Sequence, residues 1–295
     1  MNYLSRNLRH LATACVAAMI GIGAVNVTGQ NIAKVVAKTG TSNYKVRGFC
    51  ENNNWSGGGR VSVSDLREMT VASTGSVNVD AGQNGGISVK GEDRSDVLVR
   101  ACVQTWGATN EAARAAAASI QINTSGEIKA ESLSGDKNWS VSYEIRVPRM
   151  TNTSLTAYNG GISLFNLDGN AEFATTNGGV NLSTVSGSVR GRTANGGVNV
   201  SLTGTSWKGS GLDVQTTNGG VNLTLPENYA ANIETGTVNG GYKSDIPALN
   251  ITTEDVKGDG WTRSRSRRIN TSLNGGGATI RVVTTNGGIK INTPE

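Results

Sequence analysis

One six-residue phrase recurs down this chain and limits what it can become. Asn159-Gly160-Gly161-Ile162-Ser163-Leu164 aligns with Asn177-Gly178-Gly179-Val180-Asn181-Leu182, with Asn195-Gly196-Gly197-Val198-Asn199-Val200 and with Asn218-Gly219-Gly220-Val221-Asn222-Leu223. The first three copies lie 18 residues apart and the fourth follows after 23. The residues between them match as well, Leu167-Asp168-Gly169 over Val185-Ser186-Gly187 and Phe173-Ala174-Thr175 over Gly191-Arg192-Thr193. Self-similarity with a period of about 20 residues marks a solenoid. Asn-Gly-Gly supplies residues that tolerate positive φ, which predicts a tight corner. The alternation of Val180 and Leu182 around Asn181, and of Val198 and Val200 around Asn199, predicts half-buried strands. Such a strand buries its apolar face only when coils stack, about 4.8 Å apart, around a shared core. Asn-Gly also favours antiparallel hairpins, but the similarity here runs from one corner to the next corner. The chain therefore predicts an all-β fold, a single-stranded parallel β-helix with coils of 18 to 23 residues.

The first residues read as an address. Arg6, Arg9 and His10 precede an apolar run from Leu11 to Val27, and the small residues Ala24 and Gly29 follow the pattern of a cleavage site, so 1–29 is expected to be a secretory signal peptide. At 17 residues, with Thr13, Gly21, Gly23 and Asn26 inside it, the run is short for a permanent membrane span. Ala12-Thr13-Ala14-Cys15 makes a poor lipobox. Export to the periplasm, the outer cell surface or the medium is expected. Cleavage removes His10, the one histidine, which leaves no Ser-His-Asp or Cys-His machinery and no histidine metal ligand. Cys50 and Cys102 remain. In an exported chain they read as one disulfide closing a loop of 52 residues, with two buried thiols as the alternative. Net charge falls from +5 to +3 on cleavage, and aromatic residues make up 5% of the chain, so neither a nucleic-acid surface nor a stacking platform is indicated.

The remaining 266 residues divide into a β-rich part at 30–150 and a regular solenoid at 151–295. A strand is expected around Tyr44 to Phe49. Three more are expected between Leu66 and Val103, at Val77 to Val79, at the early copy Asn84-Gly85-Gly86-Ile87-Ser88-Val89, and at Val97 to Val99. Asn110 to Ser119, rich in alanine, predicts the one helix, capped by Asn110 and packed against the solenoid at 110–119. Ile120 to Ile122 and Trp139 to Val147 alternate as strands, and Pro148 stops the second. After Leu225 the copies degenerate at Asn239-Gly240-Gly241, and an insertion is expected at about 243–268. Copies at Asn274 and Asn286 then close the array, with Lys290 and Asn292-Thr293-Pro294 blunting its last edge.

This order of motifs is the signal peptide, the early Asn-Gly-Gly-Ile-Ser-Val, the Ala-rich helix, Val141-Ser142-Tyr143-Glu144-Ile145-Arg146-Val147-Pro148, the repeated Thr-Asn-Gly-Gly-Val-Asn-Leu and the terminal Thr285-Asn286-Gly287-Gly288-Ile289-Lys290-Ile291. It resembles the bacterial putative-adhesin family of β-strand-repeat proteins, related to the auto-transporter adhesin head domain named after its Gly-Ile-Asn motif. The resemblance runs from about Val61 to Glu295. It implies a right-handed β-helix on the cell envelope with no known enzymatic activity, and it brings no catalytic or binding residues.

Three features are candidate binding elements. The outward Asn181, Asn199 and Asn222 stack amides that can bind sugars along a face or pair with one another. Arg263, Arg265, Arg267 and Arg268 form a cluster suited to an envelope polyanion such as lipopolysaccharide phosphate, teichoic acid or an acidic glycan, or simply to solvent. Trp207, placed in the five-residue excess of its coil and so expected to be exposed, and Trp261 can stack on sugar rings or pack. The corner asparagines Asn159, Asn177, Asn195 and Asn218 read as structural. Polysaccharide-processing β-helices need paired carboxyls, whereas Asp168, Glu172, Asp213, Glu227 and Glu234 stand singly in the sequence. The expectation is an exported, non-enzymatic β-solenoid, adhesive or structural, acting by multivalent contact without a cofactor. A polysaccharide lyase or hydrolase, and a periplasmic scaffold for envelope proteins, are the alternatives.

Overall fold

The computed structural model describes residues 49–50, 59–135, 137–249, 252–253 and 267–294. The segment expected to be a signal peptide lies outside them, as does most of the strand expected at Tyr44 to Phe49. In chain order come β1 (Val61–Ala72), β2 (Ser76–Asp80), β3 (Ile87–Glu92), β4 (Asp96–Gly107) and helix α1 (Asn110–Ser119). Next are β5 (Ile120–Asn123), β6 (Glu127–Ser132), β7 (Trp139–Pro148), β8 (Asn152–Ala157) and β9 (Ile162–Phe165). The regular array holds β10 (Ala171–Asn177), β11 (Val180–Ser183), β12 (Ser188–Asn195), β13 (Val198–Ser201), β14 (Gly211–Asn218) and β15 (Val221–Thr224). Beyond it lie β16 (Ala231–Asn239), β17 (Tyr242–Ser244), β18 (Thr252–Thr253), β19 (Arg267–Leu273), β20 (Thr279–Asn286) and β21 (Ile289–Asn292). Sheet I has the order β1-β4-β7-β3-β9-β11-β13-β15-β21-β17, and sheet II has β18-β19-β16-β20-β14-β12-β10-β8-β2-β6-β5.

Each coil contributes one strand to sheet II, turns the Asn-Gly-Gly corner, and contributes the next strand to sheet I. Identical positions of successive copies pair in parallel: Val180 lies between Ile162 and Val198, and Ala171 between Thr153 and Val189. Because side chains alternate, this register turns every Val180-like and Leu182-like position inward, where Val180, Val198 and Ile162 are fully buried. Phe173 is accommodated by a deletion in the next coil. A methyl group on Gly191, its cross-strand partner, would lie 2.0 Å from the Phe173 ring.

The Asn-Gly-Gly corners need glycine for a reason other than the expected one. At the stacked corners, from Asn84 to Asn239 and at Asn286, none of these glycines has a positive φ; the copy expected at Asn274 is instead a turn between β19 and β20, with Asn274, Gly275 and Gly276 all at positive φ and outside the stack of corners. The first glycine of each corner instead touches the corner beside it. A Cβ on Gly160, Gly178, Gly196 or Gly219 would fall 1.9–2.1 Å from the neighbouring corner's carbonyl oxygen. Backbones this close leave no room for any side chain. Positive φ is required at the opposite corner, at Gly187 (φ 89°) and Gly209 (φ 120°). Beside each Asn-Gly-Gly, a buried threonine donates its hydroxyl to the adjacent corner: Thr175 to Gly160 O, Thr193 to Gly178 O, Thr216 to Gly196 O and Thr284 to Gly219 O, all at 2.7–2.8 Å. The corner asparagines form one amide ladder, Asn84-Asn159-Asn177-Asn195-Asn218-Asn286-Asn239, with each step at 2.8–3.0 Å.

That ladder also shows that stacking order departs from chain order. β20 pairs with β14 on one side and β16 on the other, and β21 lies between β15 and β17. The later coil is thus slotted between two earlier ones, and Lys290, expected at the last edge, is interior to its sheet. Charge agrees with that order. Were β16 to sit directly on β14, Glu234 would face Asp213; with β20 between them, Arg281 faces both. Both sheets are mixed, which corrects the expectation of a purely parallel helix: β1-β4-β7, β5-β6 and β16-β19-β18 pair antiparallel, and the coils between them pair parallel.

The antiparallel end of sheet I has its own closure. α1 packs on β4 and β1. Its N-cap is Thr109 and not Asn110, with the Thr109 hydroxyl accepting from Ala112 N. Arg67 of β1 donates to the carbonyls of Ala117 and Ile120, tying the C-terminal end of the helix to the sheet. Cys50 is bonded to Cys102, with Cα atoms 5.4 Å apart.

Candidate binding faces

The outer face of sheet I carries the predicted asparagine ladder. One row crosses ten strands as Glu68, Arg100, Glu144, Ser88, Ser163, Asn181, Asn199, Asn222, Lys290 and Lys243. Asn222 donates to Asn199 at 2.8 Å and Asn199 to Asn181 at 2.9 Å. Asn199 and Asn181 thus each accept one bond and donate one, Asn181 to the Ser163 hydroxyl, while Asn222 at the end of the run only donates. At one end of the row Arg100, nearly buried, bonds Glu68 at 2.9 Å and Glu144 at 2.6 Å, with the Phe49 ring 5.4 Å from its guanidinium. Burial would raise the Glu144 carboxyl's pKa, but hydrogen bonds from Arg100 and Arg146 outweigh it and hold the group below its ordinary value.

The outer face of sheet II differs. It forms a trough of about 1010 Å³ that crosses the parallel coils from Asp80 and Tyr158 to Arg268 and Asn270. Small side chains, among them Ala174, Ala194, Thr176 and Gly236, make its floor. Along one margin the registers produce an alternating row of Glu172, Arg190, Asp213, Arg281 and Glu234. Arg281 bonds Asp213 and lies 4.0 Å from Glu234. Three acids that stand singly in the sequence are thus aligned, each separated from the next by an arginine. Arg192 and Arg268 are exposed and form no ion pair among the described residues.

The other sequence candidates fall in different places. Arg268 lines the trough, and Arg267 belongs to β19. Trp261, Arg263 and Arg265 lie outside the described residues. Trp207 is buried, not exposed: the extra residues of its coil carry the indole into the core, where its N–H donates to Gly187 O at 2.9 Å. The sequence reading missed Arg192, Arg281, Gln215 and Tyr158, the trough's main polar groups. Their outward parity on sheet II strands was readable for Arg192 and Gln215, since the 18-residue repeat sets it. Among the described residues, no group of three or more His, Cys, Asp or Glu could hold a metal ion, and no helix is long and apolar enough to cross a membrane.

A two-sheet solenoid whose coils turn on Asn-Gly-Gly corners defines a class of repeat protein, and the sequence places the chain within it. The profile of the Toastrack family, DUF4097, matches residues 24–292, so the chain belongs to the Toastrack family. No curated protein matches it at a significant level. Among solved structures it is similar to a putative cell adhesion protein from Clostridium sporogenes, at 13% identity over 78% of this chain and 100% of the other, with a TM-score of 0.37. A putative adhesin from Bacteroides fragilis aligns at 13% identity over 79% of this chain and 97% of its own, with a TM-score of 0.38. A putative lipid binding protein from Parabacteroides distasonis aligns at 10% identity over 79% of this chain and 97% of its own, with a TM-score of 0.32. All three superpositions are loose.

Proposed function

We propose that this chain is an exported, non-enzymatic element of the bacterial envelope that holds a partner by many weak contacts along a repetitive face, in the manner of an adhesin. The observation that carries this reading is the sheet II trough: a small-residue floor continuous over several coils, bordered by guanidinium, amide and hydroxyl groups that offer repeated weak contacts. The aligned acids do not favour a lyase or hydrolase. Such an enzyme needs open space between its carboxyls for the scissile bond, and the Arg281 guanidinium stands between Asp213 and Glu234. Export is supported by the basic-then-apolar first residues and by the disulfide, a bond that persists in oxidising compartments. The repeated Asn-Gly-Gly-Val-Asn-Leu copies support a kinship with auto-transporter adhesin head domains.

Two measurements test the reading. Protease treatment of intact cells carrying the tagged chain should digest it while a periplasmic control is spared; protection until the outer envelope is opened would remove the adhesin role. Retention of the purified chain on isolated cell envelopes should be lost in Ala194→Trp, which fills the trough floor from an outward position. Undiminished retention would move the contact surface off sheet II.

A further inference from the structure

We infer that the sheet II trough takes a linear acidic glycan bearing one carboxylate per disaccharide, an assignment that rests on the contact reading above and names its ligand class. Arg192 on β12, Arg281 on β20 and Arg268 on β19 occupy every second strand of the sheet. Arg192 and Arg268 share one row, through Gln215, Val283 and Gly236, and Arg281 stands two residues along its strand from that row, so its Cα is on the order of 12 Å from each of the other two. That interval matches one extended disaccharide. The alternation exists only because β20 is slotted between β14 and β16, which brings Arg281 onto the strand midway between the other two, two residues to one side of their row.

The rest of the lining selects a glycan over a denser polyanion. Glu234 on the intervening strand and Asp80 at the far end both face the trough. A polyphosphate or nucleic-acid strand, with a charge on every unit, would press phosphates against these carboxylates, a like-charge juxtaposition that costs heavily. Sugar hydroxyls instead donate to Glu234 and Asp80, and accept from the Gln215 amide and the threonine hydroxyls. The guanidiniums serve the sparse carboxylates. Arg281, although flanked by Asp213 and Glu234, keeps donors to spare, since those contacts leave part of the five that a guanidinium offers unused. The flat floor admits a ring lying on its face, and Tyr158, 46% exposed at one end, offers an aromatic surface to the terminal sugar.

Isothermal titration of the full-length chain, as its host processes it, with a hyaluronan decasaccharide tests the assignment, because carboxylates alternate with neutral sugars in that probe. The expected result is binding that weakens with added salt, that falls by about tenfold or more in Arg192→Gln/Arg268→Gln, and that is absent for a neutral chitin oligosaccharide of equal length. Equal binding of the neutral oligomer, salt-independent binding, or full affinity in the double variant would overturn it. Tighter binding of polyphosphate would overturn the choice of glycan. Both arginines are exposed, so the double variant should melt with the parent; if it does not, the salt dependence and the neutral oligomer measured on the parent still decide. Failure to bind any of the three probes, alongside envelope retention that Ala194→Trp abolishes, would discard the acidic glycan and leave the contact reading standing.

Discussion

The parallel coils and the antiparallel end of sheet I solve the same problem by opposite means. In the coils, from Asn159 to Leu225, neighbours are held in their interior and at their corners by groups that carry no charge: glycine backbones in contact, buried threonine hydroxyls on carbonyls, and two amide ladders. Each device repeats because each coil presents the next one with an identical surface. At β1-β4-β7 the repeat ends, and the closure is made once, from a nearly buried arginine between two carboxylates, a disulfide, and a helix tied to the sheet by Arg67. Repetition lets a solenoid build its interior from close backbone contact alone. Where it stops, charges and a covalent bond take over.

That contrast can be broken at its strongest point, the corner glycine column. Gly196→Ala should destabilise the chain by about 4 kcal/mol or more, because both the new methyl and the Gly178 oxygen 2.1 Å away belong to backbone that cannot shift alone. Gly197→Ala, whose nearest contact would be 3.5 Å, should cost below about 1 kcal/mol. Equal losses in urea unfolding would deny the column its role. At the other end, reducing the Cys50–Cys102 bond should remove about 4 kcal/mol, the loop-entropy value for 52 residues, with hydrogen exchange rising first in β1 and β4. Arg100→Ala should cost about 2 kcal/mol by removing two charge-assisted hydrogen bonds and leaving the half-buried Glu144 to Arg146 alone, whereas removing a guanidinium from the exposed face at Arg190 should hardly register in the same melt.

Smaller effects sharpen the picture. Asn195→Ala breaks two ladder bonds at an exposed corner and should cost about 1–2 kcal/mol, measured by thermal unfolding. Acid should separate the two regions without mutation. The Glu144 pKa is lowered in the folded chain, so its contribution is fully present above the ordinary value of 4.5 and disappears as pH falls through the lower folded value. Exchange in β4 and β7 should therefore accelerate in that window while β11 and β13, held by amides, stay protected; uniform loss across both regions would contradict the division.

How much of this was legible depends on whether one coil's sequence sets it. The pairing of Val180 with Val198 and the outward row of Asn181 and Asn199 follow directly from an 18-residue period, and the helix at Asn110–Ser119 follows from its alanines. The use of the corner glycines did not, because a contact between neighbouring backbones leaves the same Asn-Gly-Gly signature as a positive-φ turn. The stacking order after Leu225 was hidden for a related reason: every copy presents similar edges, and the pairing that fits β20 to β14, Arg281 against Asp213, joins residues 68 apart. The trough was invisible until that order was known. Trp207 misled because extra residues in a coil usually bulge outward, whereas here they bring an indole to a carbonyl inside. β1, with its mixed pattern of Val, Ser, Asp and Arg, lacks the clean alternation that marks the later strands.

The slotted coil also imposes an order on folding. Most coils from β2 through β15 can settle onto a neighbour close by in sequence, but β16 and β17 rest on a coil that lies beyond them in the chain. Until β20 and β21 arrive, those strands have no parallel neighbour, and β14 and β15 keep an open edge. Such an edge recruits other chains, and contacts this distant in sequence form late. The step that seats Thr279–Asn286 between β14 and β16 is thus the one that closes the stack and removes both open edges at once.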